Sequence, residues 1–258
     1  MSIITPSLNQ GAFIRQAVQS VLMQGYPHVE CIVIDGGSTD ETINILEEFA
    51  ARIVWISEPD TGQANAVNKG LRLARGELFG YLNADDLLCR GAIARVVEAF
   101  NNHPDVAWLT GRCRIVDEAG IDRRRAVRLY KDILLLAGSY RLLSVTNYIS
   151  QPATFWRRDT MDEVGLLDEN LEYVMDYEYW LRLWQRHRPL IVRDVLAVFR
   201  VHSSSKTSSR GHLEEYITEE REVVKRYVRT LPWVVLHELH RRVMTLGYAE
   251  LNRRSRLR

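Results

Sequence analysis

Residues 77–88, ELFGYLNADDLL, read as a short apolar strand (Leu78, Phe79, Tyr81, Leu82) that runs directly into two adjacent carboxylates, Asp85 and Asp86. A strand ending in acids places them at the carboxyl edge of a sheet, where open α/β proteins bind ligands. Hard oxygen ligands at such an edge suit Mg²⁺ or Mn²⁺ held together with the phosphates of a nucleotide. The plainer reading is an acidic turn after a strand, since Asn and Asp are common turn residues. The residues upstream weigh on that choice.

Moving toward the N-terminus, strand and helix alternate. Residues 2–6 are β-rich, and 10–23 carry Phe13, Ala17 and Val21 at helical spacing. Residues 30–35, ECIVID, form a nearly continuous apolar run of the kind found in a strand buried on both faces. GGSTDET then supplies a glycine turn and a Ser/Thr/Asp cap for a helix reaching Phe49. A strand over 53–57, a helix over 62–75 and the strand over 77–83 follow. Such alternation predicts parallel βαβ units and a nucleotide-binding sheet. The loops after the strands all carry polar residues and fall at one edge: TPSLN from Thr5, DGGSTD from Asp35, EPDTGQ from Glu58, and NADD from Asn83. A GxGxxG after the first strand is absent, as is a GxxxxGK[ST] phosphate loop. A nucleotide would therefore be held by side chains and a metal, not by a glycine cradle. Asp35 has the acceptor capacity for a base N–H, though DGGSTD also reads as a simple helix cap.

Composition bounds the rest. A length of 258 residues allows one large domain, or a domain with an appended piece. A net charge of +1 gives no whole-molecule attraction to nucleic acid, so no nucleic-acid partner is expected. Three widely spaced cysteines (Cys31, Cys89, Cys113) without a CxxC fit reduced thiols in a cytoplasmic protein, not a disulfide framework or a zinc site. No apolar run is long enough to span a bilayer, and MSIITPSLNQ lacks the basic start and apolar core of a signal peptide.

Beyond the acids, 91–104 read as a helix stopped by Pro104, and 106–116 as a strand around Trp108. Residues 121–130, IDRRRAVRLY, are expected as a basic loop bearing Arg123, Arg124, Arg125 and Arg128. Such a run is either a solvated face or a contact for an anion such as a phosphate or diphosphate. Residues 132–149 are apolar without clean periodicity. In YVMDYEYWLRLWQRH, Tyr179, Trp180, Leu183 and Trp184 follow helical spacing and put Asp176 at a helix start, as a cap or as a catalytic carboxylate. Glu178, two residues on, falls roughly on the opposite side of that helix and is the second candidate for the catalytic carboxylate. LIVRDVLAVFRVH is an apolar strand ending in Arg200 and His202. Residues 221–258 hold ten Lys/Arg against three Asp/Glu, a local +7, and predict two helices parted near Pro232. That end either lies on an anionic membrane surface or packs on the domain, and the abundance of apolar positions favours packing.

ITPSLNQGAFIRQAVQSVLMQ, VIDGGSTDET, EPDTGQANAVNKGLRLARGE and YLNADDLLCRGAI together resemble the family 2 glycosyltransferases, in the family's order. The resemblance continues through FWRR, VGLLDENLEYVMDYEYWLRL and FRVHSSSKT. It implies a GT-A-type, Rossmann-like mixed sheet flanked by helices, over residues 1–210, with 1–104 as the nucleotide-binding half and 105–210 as the acceptor half. Residues 211–258 would be a helical, basic appendage. It implies inverting transfer from a nucleotide-diphosphate sugar to an acceptor hydroxyl on a glycan or lipid-linked sugar, in cell-surface polysaccharide or glycolipid synthesis. The location would be cytoplasmic, or peripheral at the inner membrane face. By the same resemblance Thr5, Ser7, Asp35 and Lys69 line the nucleotide. Asn83, Asp85 and Asp86 serve the diphosphate and a Mg²⁺ or Mn²⁺ ion, His202 joins them, Asp176 is the base, and Gln151 is a substrate contact. Two departures stand out: Asn83 replaces the first acid of the family's DxD, and Val67 replaces an arginine common in the third-helix motif. No QxxRW motif is present, so a processive polymer synthase is not expected. A nucleotidyltransferase on a similar sheet, or a non-catalytic nucleotide-binding or scaffolding protein, are the rival readings.

Overall fold

A computed structural model describes residues 1–203, 205, 212–228 and 230–255, with backbone alone for 244–255. The Ser204, Lys206 and Thr207 positions of FRVHSSSKT lie outside the described residues.

The first half builds a parallel sheet from β1 (Ser2–Ser7), β2 (Glu30–Asp35), β3 (Val54–Ser57) and β4 (Leu78–Tyr81), linked by α1 (Ile14–Leu22), α2 (Thr42–Glu48) and α3 (Gln63–Leu73). All of β1 is buried, and so is β2 after Glu30, which explains their lack of polar alternation. α1 places Ile14, Ala17, Val18 and Val21 on one face, the helical spacing that covers a sheet. Before α3, Gly62 takes φ 130°, a conformation open to glycine and costly for other residues.

After β4 the chain enters the two-residue β5 (Leu87–Leu88), then α4 (Ala92–Asn102) and β6 (Trp108–Asp117). α5 (Arg125–Ala137), α6 (Tyr140–Leu143), β7 (Thr154–Arg157), α7 (Arg158–Val164), α8 (Met175–Arg186) and β8 (Leu190–Val201) follow. The sheet order is β3-β2-β1-β4-β7-β6-β8-β5. β7 runs antiparallel to both β4 and β6, and β5 antiparallel to β8, so the sheet is mixed as expected. Two apolar cores flank it, one around α1, α2 and α4, the other around α3 and α8. α8 buries Tyr177, Tyr179, Trp180, Leu181 and Leu183 because it is enclosed on several sides. Trp180 stacks on Trp108 of β6 at 5.9 Å. Leu181 and Leu183 each contribute about 1.5–3 kcal/mol by leaving water.

Two segments differ from the sequence expectation. The basic stretch 121–130 is a loop only as far as Arg124; Arg125 already begins α5. The irregular stretch after it is mostly helical, because α5 meets the cleft, the core and solvent on different sides and so blurs its period. At the C-terminus, α9 (Leu213–Tyr227) and α10 (Leu231–Ser255) part near Pro232 as expected. α9 buries Val223 and Val224 in the core, and Arg226 reaches Asp168 at 2.9 Å. α10 is tied at its start by His237, whose Nδ1 donates to the Val145 carbonyl at 2.8 Å. It leaves Leu231, Val235, Leu239 and Val243 exposed.

Candidate active site

The parallel register brings Ser7, Asp35 and Ser57 level at one sheet edge. Beside that edge opens a cleft of about 1870 Å³, walled by strand-end loops on one side and by α5, α8 and α9 on the other. Of the residues singled out in the sequence, Ser7, Asn83, Asp85, Gln151, Asp176 and His202 line it; Thr5, Asp35, Lys69, Asp86 and Glu178 do not.

Asp35 closes its own loop. Its fully buried carboxylate accepts from the Gly37 and Ser38 amides at 3.0 and 2.8 Å, and from the Ser38 and Ser57 hydroxyls at 2.5 and 2.8 Å. Four donors, three on Oδ2 and one on Oδ1, offset its desolvation. Lys69 is likewise engaged, with Glu58 at 2.7 Å and the Pro59 carbonyl at 3.2 Å. The hydroxyls of Thr5 and Ser7 are buried without a protein partner, and only that of Ser7 belongs to a cleft-lining residue.

The paired acids part company. Asp85 lines the cleft, and His202 Nε2 lies 2.9 Å from its Oδ2. Asp86 is fully buried; its Oδ1 accepts from the Arg200 amide at 2.9 Å and its Oδ2 sits 3.5 Å from Asn83 Nδ2. Burial first, and the neighbouring Asp85 charge second, push the Asp86 carboxyl well above the usual carboxylate range. The acids sit in a turn closed by the Asp86 amide donating to the Asn83 carbonyl at 3.0 Å, and it turns one acid to the cleft while the other fastens the loop to β8. Asn83 accepts from Gln63 Nε2 at 2.6 Å, which aims its amide between α3 and the acids.

Asp85 and His202 offer one hard oxygen and one imidazole nitrogen, while no group of three or more His, Cys, Asp or Glu side chains arranged to hold a metal ion occurs among the described residues. Mg²⁺ commonly retains waters and takes substrate phosphates beside one or two protein carboxylates. The donor set therefore fits an ion whose remaining ligands come from substrate and water, and not a closed protein cage.

α8 begins with Asp176, which also lines the cleft. Asp176 Oδ1 accepts from the Tyr177 amide at 2.6 Å, and Asn147 Nδ2 lies 3.5 Å from its other oxygen. Burial raises its pKa; those bonds and the Lys131 ammonium act in the opposite direction. Glu178 points elsewhere. It is 2% exposed, binds Arg182 at 2.8 Å, and accepts from the Tyr227 hydroxyl of α9. Its role is to lock α9 onto α8. Lys131 and Asn147 were not foreseen. Lys131 falls between the basic and the apolar stretches of the sequence, where neither pattern marks it.

Residues 2–164 match the family profile described as Glycosyl transferase family 2. The chain belongs to glycosyl transferase family 2. An uncharacterized glycosyltransferase of Rickettsia prowazekii is 27% identical over 225 residues, covering 84% of this chain and 69% of that protein. Among solved structures, the mannosyltransferase PcManGT of Pyrobaculum calidifontis, in complex with GDP-Man and Mn²⁺, superposes with a TM-score of 0.69 at 20% identity, over 92% of this chain and 67% of that one. S. aureus TarS 1–349 in complex with UDP-GlcNAc gives 0.67 at 19% identity, over 86% and 64%. These likenesses carry the GT-A-like fold. The chain spans only 38% of the longer S. aureus TarS chain. As a family 2 glycosyltransferase, it keeps the strand-end acids and replaces the first position of their motif with Asn83.

Proposed function

We propose that this family 2 glycosyltransferase moves a sugar from a nucleotide-diphosphate donor to an acceptor hydroxyl with inversion. One arrangement carries the reading: Asp85, paired with His202, lines the same cleft as the half-buried carboxylate of Asp176. Asp85 and His202 would hold Mg²⁺ or Mn²⁺ on the donor diphosphate, where such an ion supplies charge neutralisation for the leaving nucleotide. Ser7, with its unpartnered hydroxyl, and Asn83 are positioned to meet the donor. Asp176 takes the acceptor proton as the oxygen attacks the anomeric carbon. A carboxylate with a raised pKa is a better match to proton abstraction near neutrality than an exposed one.

The acceptor is a glycan or lipid-linked sugar, and the setting is cell-surface polysaccharide or glycolipid synthesis at the cytoplasmic face of a membrane. The exposed apolar side chains of α10 within a basic C-terminus support peripheral membrane contact. No helix among the described residues is long and apolar enough to cross a bilayer. Incubating the chain with UDP- and GDP-sugars, Mn²⁺ and candidate acceptors while following nucleotide release tests the reading. Tight nucleotide binding with no transfer or hydrolysis under any pairing would favour the non-catalytic alternative.

A further inference from the structure

The cleft is larger than the roughly 300–1,000 Å³ of an ordinary ligand pocket, so it holds more than one group. Its α5 wall is basic in a regular way: Arg124, Arg128 and Lys131 recur at helical spacing, and all three line the cleft. Arg123 and Arg125 of the same run do not line it. The run is therefore divided by the helix into a cleft-facing set and the remainder. Arg124 sits at the helix start with φ 54°, a left-handed conformation uncommon for a residue of its kind.

Lys131 and Arg128 are thinly matched. The Lys131 ammonium makes one long contact, 3.5 Å to the Ile149 carbonyl, and no carboxylate lies within ion-pair distance of it among the described residues. Asp176 acts on its charge, and Asp132, next in the chain, is already taken by Arg112 at 2.7 Å. Arg128 holds Asp122 at 2.5 Å through one guanidinium nitrogen. A guanidinium carries five N–H donors, so this leaves part of its fork for a second acceptor.

We propose that the α5 wall is a subsite for an anionic acceptor, in which Lys131 and Arg128 bind a phosphate ester carried near the acceptor hydroxyl. The subsite rests on the reading of the cleft as a glycosyltransferase site and names its acceptor class. Phosphate oxygens suit this set: a forked guanidinium with an ammonium beside it gives charge-assisted hydrogen bonds from two directions. Lys131 and Asp176 act on each other's charge, so the subsite lies beside the carboxylate read as the base. The ester belongs either to a soluble glycan phosphate or to a lipid headgroup.

The test uses the full chain with UDP or GDP and Mn²⁺ bound. Butyl phosphate is titrated in solution, and the same ester class is offered as phosphatidic acid in phosphatidylcholine vesicles, so that the tighter arm identifies the source. Lys131→Met and Arg128→Met should each weaken phosphate binding about tenfold or more, the usual weight of a charge-assisted bond, with nucleotide Kd unchanged. Arg123→Met removes the same charge from outside the cleft and should leave phosphate binding intact. Thermal melts confirm that each variant is folded. Phosphate binding that displaces the nucleotide, that survives Lys131→Met and Arg128→Met, or that falls equally with Arg123→Met overturns the subsite. If neither UDP nor GDP binds, the donor reading fails instead, and the phosphate titration of the nucleotide-free chain and its variants still decides the subsite.

Discussion

His202 Nε2 lies 2.9 Å from Asp85 Oδ2, joining the end of β8 to the loop after β4 across 117 residues of sequence. The contact gathers a carboxylate and an imidazole at one end of the cleft, while Asp86, next in the chain, is drawn inward to the Arg200 amide. The division of labour between two adjacent acids leads to the first expectation.

Nucleotide-diphosphate binding should require Mg²⁺ or Mn²⁺. Calorimetric titration of UDP and GDP with and without EDTA measures this, and Asp85→Asn should reproduce the loss seen on chelation. Asp86→Asn should act mainly on stability, since its carboxylate fastens β8 and not the cleft. Affinity indifferent to chelation removes the metal role of Asp85 and His202.

Asp176→Asn keeps the shape of the side chain and removes the proton acceptor. General-base contributions of about 10²–10⁴-fold predict a transfer barrier higher by roughly 3–5 kcal/mol, with donor Kd preserved. Glu178→Gln should do the reverse. Breaking its buried bond to Arg182 costs on the order of 3 kcal/mol of stability while folded enzyme keeps its turnover. Nucleotide release and urea melts on both variants separate the roles; a fully active Asp176→Asn would refute the assignment.

Burial lifts the Glu220 carboxyl of α9 from 4.5 to about 7, with Arg241 and Tyr216 opposing the rise. Across that window the folded chain holds a proton that the unfolded chain has released. Stability is therefore greatest below the lower value and declines as pH climbs to the upper one, by roughly 3 kcal/mol in all. Glu220→Gln should flatten this dependence and raise the melting temperature on the alkaline side. Urea titrations of both proteins at about pH 5 and pH 8 check the slope. A wild type equally stable at the two would contradict it.

The exposed face of α10 predicts weak, salt-sensitive attachment to anionic vesicles. Replacing Leu231, Val235, Leu239 and Val243 by serine should leave the packed α9 untouched and keep the protein in the supernatant after co-sedimentation. Equal pelleting of the two forms would place membrane contact elsewhere or nowhere.

Much of this was legible in the chain itself. Buried parallel strands must be apolar on both faces, so ECIVID and ELFGY announce themselves, and glycines and strand-end acids mark the loops between strand and helix. The motifs carried the family, and the helical period placed Asp176 at the start of α8 and turned Glu178 away from it. Local pattern does not say where a side chain's partners come from. The resemblance makes Asp35 a nucleotide contact; the structure adds that its carboxylate accepts from Gly37, Ser38 and Ser57, the last brought beside it only by strand pairing. Asp85 and Asp86 are equivalent in sequence; β8, arriving from more than a hundred residues away, makes one a cleft residue and the other a buried brace. Lys131 reaches the cleft because α5 folds back over the sheet edge, a matter of packing between distant elements that composition and periodicity do not record.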